Sequence, residues 1–374
     1  MRQFVPFDSL WNMAIDVPYS FLVRDGAHAW SCGQLALDRN SNVISSGDLP
    51  AQSEIVANYV AEILDRADLS ADSLVRLVLF VDASHLSDSD AMCAAFYSKF
   101  SAEIILDIVP VPHFYYDGVV LEVDVFCGGA GRSSTTAATV SRQTDGELVW
   151  ASINAAASHV EASFECLDSE LATAGIDRSH LLSAHWTVPP GEAFNVAHTA
   201  ADGGLLPDVG AVVSAGTDSA MVNGRFVFTT DPVTAEATAT IENVVITATQ
   251  SERFGWVQAR SIDADTDLVD QTRQIMTAIE SRLAAHDVGF DAVVKATSLY
   301  TGGNSAAELH DNMSVRNAYY ERPGPASTGL PVFGLADERS RIVVDVTYAK
   351  GSANGSSGKP LDALAPVAGR THRS

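Results

Sequence analysis

The sequence predicts an α/β protein built from three successive ββαβαβ-like units of about 110 residues each. Two recurring spacings and one contrast in residue type carry that reading. Three segments align without gaps: Gln52 to Leu64 (QSEIVANYVAEIL), His159 to Leu171 (HVEASFECLDSEL) and Gln271 to Leu283 (QTRQIMTAIESRL). Apolar residues recur at offsets 8 and 12, as Val60/Leu64, Leu167/Leu171 and Ile279/Leu283. That spacing marks one face of an amphipathic helix. Eight residues beyond each closing leucine a different pattern begins, at Asp72 (DSLVRLVLFV), Ser179 (SHLLSAHWTV) and Asp291 (DAVVKATSLY). Its short length and its β-branched and aromatic content fit a strand.

The remaining elements follow in order. An apolar strand precedes each helix: Ala29 to Leu35, Leu148 to Ile153 and Phe254 to Gln258. A second helical stretch follows each central strand, at Ala91 to Phe100, Glu192 to Ala200 and Leu309 to Tyr320. A strand then closes each unit: Val119 to Phe126, Arg225 to Thr230 and Arg341 to Tyr348. Gly128 to Ser141 is rich in Gly, Ser and Thr, and Thr230 to Thr240 in Ala and Thr, so both read as linkers. The boundaries expected are 1–127, 128–235 and 236–350, with 351–374 a disordered Gly/Ser-rich tail.

Composition narrows the function. Of 374 residues, 47% are hydrophobic, enough for a globular core. Lys and Arg number 23 against 47 Asp and Glu, a net charge of −24. Such a surplus argues against nucleic acid or an anionic membrane as partner, because both are held by clustered cations. No apolar run reaches the ~18–20 residues of a membrane-spanning helix. No signal peptide is visible at Met1 to Asp16, so the expected location is the cytoplasm. Cys32, Cys93, Cys127 and Cys166 are scattered with no CxxC pair, the pattern of free thiols rather than a zinc site. Neither G-x-x-x-x-G-K-[ST] nor H-E-x-x-H occurs, and Gly128-Gly129-Ala130-Gly131 lacks the third glycine of a dinucleotide fingerprint. No cofactor and no metal are expected; the expected partner is a small-molecule substrate.

Short motifs give a family resemblance. Pro18-Tyr19-Ser20, Ser31-Cys32-Gly33-Gln34, Ala51-Gln52-Ser53 and Val120-Leu121-Glu122-Val123-Asp124 carry it in the first unit. Asp270-Gln271-Thr272-Arg273, Val315-Arg316-Asn317-Ala318-Tyr319-Tyr320 and Gly324-Pro325-Ala326-Ser327-Thr328 carry it in the third. These residues resemble the Rid superfamily (YjgF/YER057c/UK114) over about 220 residues, the middle unit mainly by register. The resemblance implies three chorismate-mutase-like Rid units in one chain. Family members are homotrimers with sheets inward, helices outward and a cleft at each interface, so the chain is expected to be an intramolecular pseudo-trimer, as a monomer or a dimer. A lone unit leaves a sheet face to be covered. Covalent linkage supplies the partner at high effective concentration and frees the three clefts to diverge.

The resemblance also implies a chemistry. Family enzymes that hydrolyse imines and enamines hold the substrate carboxylate with an arginine in a Pro-Ala-Arg-Ser/Thr segment, and a glutamate on the last strand positions water. Here Ser327 stands where that arginine would be, and Arg316, on the preceding helix, is the candidate replacement. The glutamate position is kept as Glu122; it falls on Val343 in the third unit and near Val227 in the second. Tyr19 matches the family's cleft tyrosine, Gly33 lies in the matching strand, and Cys93 sits where an asparagine is common. His113, Tyr115 and Tyr116 precede the closing strand in a loop, where binding residues gather. Glu122 and Asp124 share one strand face, and two carboxylates on a buried face push one pKa up, as a general acid or base near neutrality needs. Glu122 equally fits an ion-paired strand residue, Arg316 a surface ion pair, and His185 a satisfied face histidine. The leading expectation is a Rid-type hydrolase or lyase acting on an imine, enamine or enol-ether carboxylate. The alternatives are a chorismatase-like enzyme and a non-catalytic ligand-binding or interaction protein.

Overall fold

The structure, a computed structural model, describes residues 2–7, 10–101, 103–129, 133–136, 139–189, 211–214, 221–235, 238–302 and 306–351. The helical stretch expected at Glu192 to Ala200 and the tail beyond Gly351 lie outside the described residues.

Three seven-stranded sheets organise the chain. The first holds β1 (Arg2–Pro6), β2 (Ser20–Asp25), β3 (His28–Ser31), β4 (Gln34–Leu35), β5 (Leu74–Asp82), β6 (Ile105–Val111) and β7 (Leu121–Cys127). The second holds β8 (Ser133–Thr136), β9 (Val140–Thr144), β10 (Leu148–Ala156), β11 (Leu181–Val188), β12 (Ala211–Ser214) and β13 (Met221–Thr229). The third holds β14 (Thr234–Ala235), β15 (Ala239–Ile241), β16 (Val244–Gln250), β17 (Phe254–Ser261), β18 (Val293–Tyr300), β19 (Ala326–Pro331) and β21 (Ile342–Ala349), while β20 (Gly334–Leu335) leaves it to pair with β12 at the edge of the second. The helices are α1 (Leu49–Arg66), α2 (Ser89–Lys99), α3 (Val160–Thr173), α4 (Leu268–Ala285) and α5 (Ala306–Asn317).

Five strands run in one order in each sheet: β2-β3-β7-β5-β6, β9-β10-β13-β11-β12 and β16-β17-β21-β18-β19. The closing strand is central, and the last pair in each is parallel. A parallel pair needs a crossover, which α2 makes in the first sheet and α5 in the third. The pairing of each central strand with its closing strand slips at the same place, Leu74/Arg76, Leu181/Ser183 and Val293/Lys295.

The three aligned segments are α1, α3 and α4. Asp48 caps α1 by accepting from Ala51 N at 3.0 Å, and Asp267 caps α4 by accepting from Asp270 N at 2.8 Å. The glutamine that opens two of the segments has a structural task. Gln52 donates to Gly118 O (2.7 Å) and accepts from Val120 N (3.0 Å). Gln271 donates to Arg339 O (2.9 Å) and accepts from Arg341 N (2.7 Å). Each buried amide thus ties its helix to the chain entering the closing strand.

The outer core clusters pack helices on sheets: α1 and α2 in the first, α3 in the second, α4 in the third. A further cluster joins the sheets themselves, with Trp30, Val75, Trp150, Leu182, Trp256 and Val294 at its centre. Trp30, Trp150 and Trp256 occupy one register position in their sheets, opposite Phe126, Val227 and Thr347.

Three expectations need correction. Gly128 to Ser141 is in part a strand pair, β8 with β9, not a plain linker. The third sheet takes up the chain at Thr234, and β20 crosses back to the second, so the sheets do not divide cleanly at 235. The closing strand of the second sheet starts at Met221 rather than Arg225, because Met221 to Gly224 pair with Ile153 to Ala156 of a longer β10. Trp150→Ala should cost about 3–5 kcal/mol, the usual cost of emptying a buried tryptophan site. Denaturant unfolding checks this, with the unfolding free energy lowered by that amount and the midpoint shifted down accordingly.

Candidate functional site

A pocket opens between the first and third sheets, with a cavity volume of about 80 Å³, several times what one water needs. Glu122, Tyr19, Gly33, Arg316 and Ser327, all singled out from sequence, line it. Cys93 and His113 do not. Cys93 lies on α2, packed with the first sheet's own core, and the three residues after His113, namely Phe114, Tyr115 and Tyr116, line the pocket instead.

Glu122 stands on β7. It is buried and makes no hydrogen bond or ion pair among the described residues. The strand breaks between β3 and β4 at Cys32 and Gly33, and a Cβ on Gly33 would sit 1.7 Å from Glu122 Oε1. The glycine leaves the volume that the carboxyl fills. Two residues on, Asp124 pairs with Lys295 Nζ across the sheet boundary at 2.8 Å. Lys295 also donates to Ser31 O (2.8 Å) and Thr328 Oγ1 (2.7 Å), and Thr328 donates to Asp124 (2.5 Å). Lys295 is thereby committed to Asp124. Burial, then the Asp124 charge, push the Glu122 carboxyl up to about 8, with Lys295 pulling the other way.

Arg316 comes from α5. Its Nε donates to Asn312 Oδ1 (3.1 Å) and its Nη1 to Ser298 Oγ (2.8 Å). Both partners are neutral, and Arg316 has no ion pair among the described residues although it is 6% exposed. Gly329 lets the guanidinium pass close to β19, where a Cβ would meet Nη2 at 3.2 Å. Asn312 Nδ2, on the side chain whose Oδ1 accepts from Arg316, is buried without a hydrogen-bond partner. Burial raises the Tyr19 phenol, against the pull of Arg316 and neighbouring Ser327. A buried cation without an ion pair, next to an idle amide, has chemistry suited to an anion.

Sequence reasoning missed Asn312, Lys295 and Cys32 as parts of this region. Asn312 carried a signal, since it precedes Arg316 by one helical turn and shares its face. Lys295 carried one only through register. That register also sets Asn223, not Val227, at the position of Glu122 in the second sheet, with Val343 in the third: they oppose Thr187, Leu299 and, for Glu122, Phe80. His185 reaches Asp345 at 3.2 Å across the boundary of the second and third sheets. Among the described residues no group of His, Cys, Asp and Glu is placed to hold a metal, and no helix is long and apolar enough to cross a membrane.

The fold is that of a mixed α/β protein with a pocket at a sheet boundary. No family model matches the sequence. A RutC family protein of Sulfurisphaera tokodaii is 25% identical over 112 residues, 29% of this chain and 86% of that protein. Among solved structures, a putative endoribonuclease of Thermotoga maritima is 21% identical, with 35% of this chain and all of that one covered and a TM-score of 0.31. RidA of an Antarctic Psychrobacter is 22% identical, with 34% and 98% covered and a TM-score of 0.30. The RutC similarity supports the Rid superfamily for this chain.

Two outcomes follow from the site. Gly33→Ala should displace the Glu122 carboxyl and lower stability by roughly 1–3 kcal/mol, the usual cost of overpacking, measured by chemical denaturation. The second concerns pH. Glu122 titrates near 4.5 unfolded and about 8 folded, so the folded protein keeps a proton that the unfolded chain releases. That contribution is whole below 4.5 and is lost as pH rises through 8. Between pH 6 and 9 the melting temperature of the wild type should therefore fall more than that of Glu122→Gln.

Proposed function

We propose that the chain is three Rid-like units folded as an intramolecular pseudo-trimer, and that the boundary of its first and third units hydrolyses a small carboxylated imine or enamine. The repeated five-strand order, the shared register slip and the common tryptophan cluster support the first part. One observation carries the second: a neutral-leaning acid, Glu122, shares a pocket with an unpaired cation, Arg316. Arg316, with Asn312 and Tyr19, would hold the substrate carboxylate. A carboxyl with pKa about 8 is mostly protonated at neutral pH. It would protonate the imine nitrogen, and the resulting carboxylate would take a proton from the attacking water. The C–O bond forms at the imine carbon, the C–N bond breaks after a second proton transfer to nitrogen, and a carbonyl acid and ammonia leave. The reaction is redox-neutral and needs only water as co-reactant.

Turnover of imines, enamines and chorismate-like compounds tests the reading. Glu122→Gln should lose roughly 10²–10⁴ in kcat. Arg316→Met should raise KM more than it lowers kcat. If wild type turns over a compound and Glu122→Gln matches it within about twofold, Glu122 is structural. If wild type turns over nothing yet binds by calorimetry, the protein is a binder. Light scattering should give the mass of one chain, 39.6 kDa, or of two; a threefold assembly of whole chains would contradict the intramolecular arrangement.

A further inference from the structure

Two kinds of residue line the pocket. Arg316, Asn312, Tyr19, Ser327 and Glu122 are polar, and Trp11, Met13, Tyr115, Tyr116, Leu309 and Met313 are apolar or aromatic. Leu309, Asn312, Met313 and Arg316 share one face of α5, so apolar surface adjoins the cation. Much of the hydrogen-bonding capacity of the aromatic residues is engaged elsewhere. Trp11 Nε1 donates to Gln34 Oε1 (3.3 Å), Tyr115 Oη bonds His310 Nε2 (2.7 Å), and Tyr116 Oη accepts from Ala14 N (2.9 Å). Asn312 Nδ2, by contrast, is buried without a hydrogen-bond partner.

The charge balance is equally one-sided. Arg316 is the sole cation lining the pocket among the described residues. Glu122, leaning neutral, does not cancel it. One ligand carboxylate makes the site neutral, whereas a second would be buried against Trp11 and Met313 without a counter-ion, which is costly.

We infer that the pocket selects a monocarboxylate whose side chain is bulky and uncharged, apolar or aromatic, and rejects dicarboxylates. Two methionines in the lining, Met13 and Met313, suit this task, because a flexible thioether adapts to side chains of different shape and packs on aromatic rings. Tyr115 and Tyr116 are held in place by ties to the third sheet's helix α5, through His310, and to the N-terminal segment, through Ala14, so the rings are fixed while the thioethers adapt.

This inference rests on the pocket being the ligand site, and its test does not need turnover. Stable 2-oxo acids, the product class of imine hydrolysis, serve as probes in calorimetry with the full chain. Side chains of methyl, isobutyl, benzyl and carboxyethyl are compared at one pH and salt. Benzyl and isobutyl should bind at least roughly tenfold tighter than methyl, the range a few methylenes command in an apolar pocket. Carboxyethyl should bind weakest. Arg316→Met should abolish binding of all four, and Met313→Lys, which adds a second cation to the lining, should shift preference toward carboxyethyl. Equal affinity for methyl and benzyl, or tightest binding of carboxyethyl by wild type, would overturn the inference. Binding of none of the four would overturn it too, and Glu122-dependent turnover of an enamine or enol ether would then leave the hydrolase reading standing.

Discussion

Three sheet faces buried against one another force the charges between them to match, and the rest of the molecule follows from how they do. The chain carries 24 more acidic than basic residues, yet its centre holds Arg76, Arg225 and Lys295 with Asp107, Asp124 and Asp345. Arg76 pairs with Asp107 at 3.1 Å, and Lys295 with Asp124 at 2.8 Å. Asp124, Arg225 and Asp345 occupy one register position in their three sheets, opposite Val78, His185 and Thr297. Three carboxylates there would repel at low dielectric. A single chain can place an arginine at one of the three, and the fields of Asp107, Asp124 and Asp345 all act on Arg225, against the burial that lowers its pKa. Identical subunits have no such freedom.

The hairpin ends repeat the solution. Arg253, from the third sheet, bonds Asp25 of the first at 3.0 Å and Glu147 of the second at 2.6 Å. Buried His28 sits 2.8 Å from Asp145. Burial opposes the charge on Asp145, but His28 and the Gly129 and Leu148 N–H groups outweigh it and hold that carboxyl well below the usual range. All three sheets are thus pinned at one end by ion pairs that cross between them.

The same matching isolates Glu122. Asp124 takes the lysine, and Glu122, two residues along the strand, keeps its proton for want of a counter-ion. The equivalent residues in the other sheets have other uses. Asn223 donates to Asp107 at 2.9 Å and to Asn154 at 2.8 Å, closing the boundary of the first and second sheets with a polar network. Val343 is apolar and buried. One boundary carries an acid beside an unpaired cation, a second carries a structural network, and the third carries the His185–Asp345 contact.

The helix faces, the eight-residue step to each central strand and the order of elements were legible in the sequence, because local periodicity and turn length encode them. Glu122, Tyr19, Gly33, Arg316 and Ser327 were legible as candidates through short motifs. Other features were not. Cys93 looked like a site residue because the family commonly has an asparagine there, and His113 because of its loop neighbours Tyr115 and Tyr116, but side-chain direction depends on how α2 packs and how the chain leaves β6. The assignment of Val227 failed because strand length is set by pairing, and β10 is long enough to start its partner at Met221. The three tryptophans at one register position were on view in the sequence, yet only the joined sheets make them a single cluster. The sequence by itself determined which segments become helix and strand, since those follow from the order of apolar and polar side chains along the chain. The tertiary structure alone decided which acid is left without a counter-ion and which arginine is left without an acid, because both depend on charges brought together from distant parts of the chain, as Asp124 and Lys295 are across the sheet boundary.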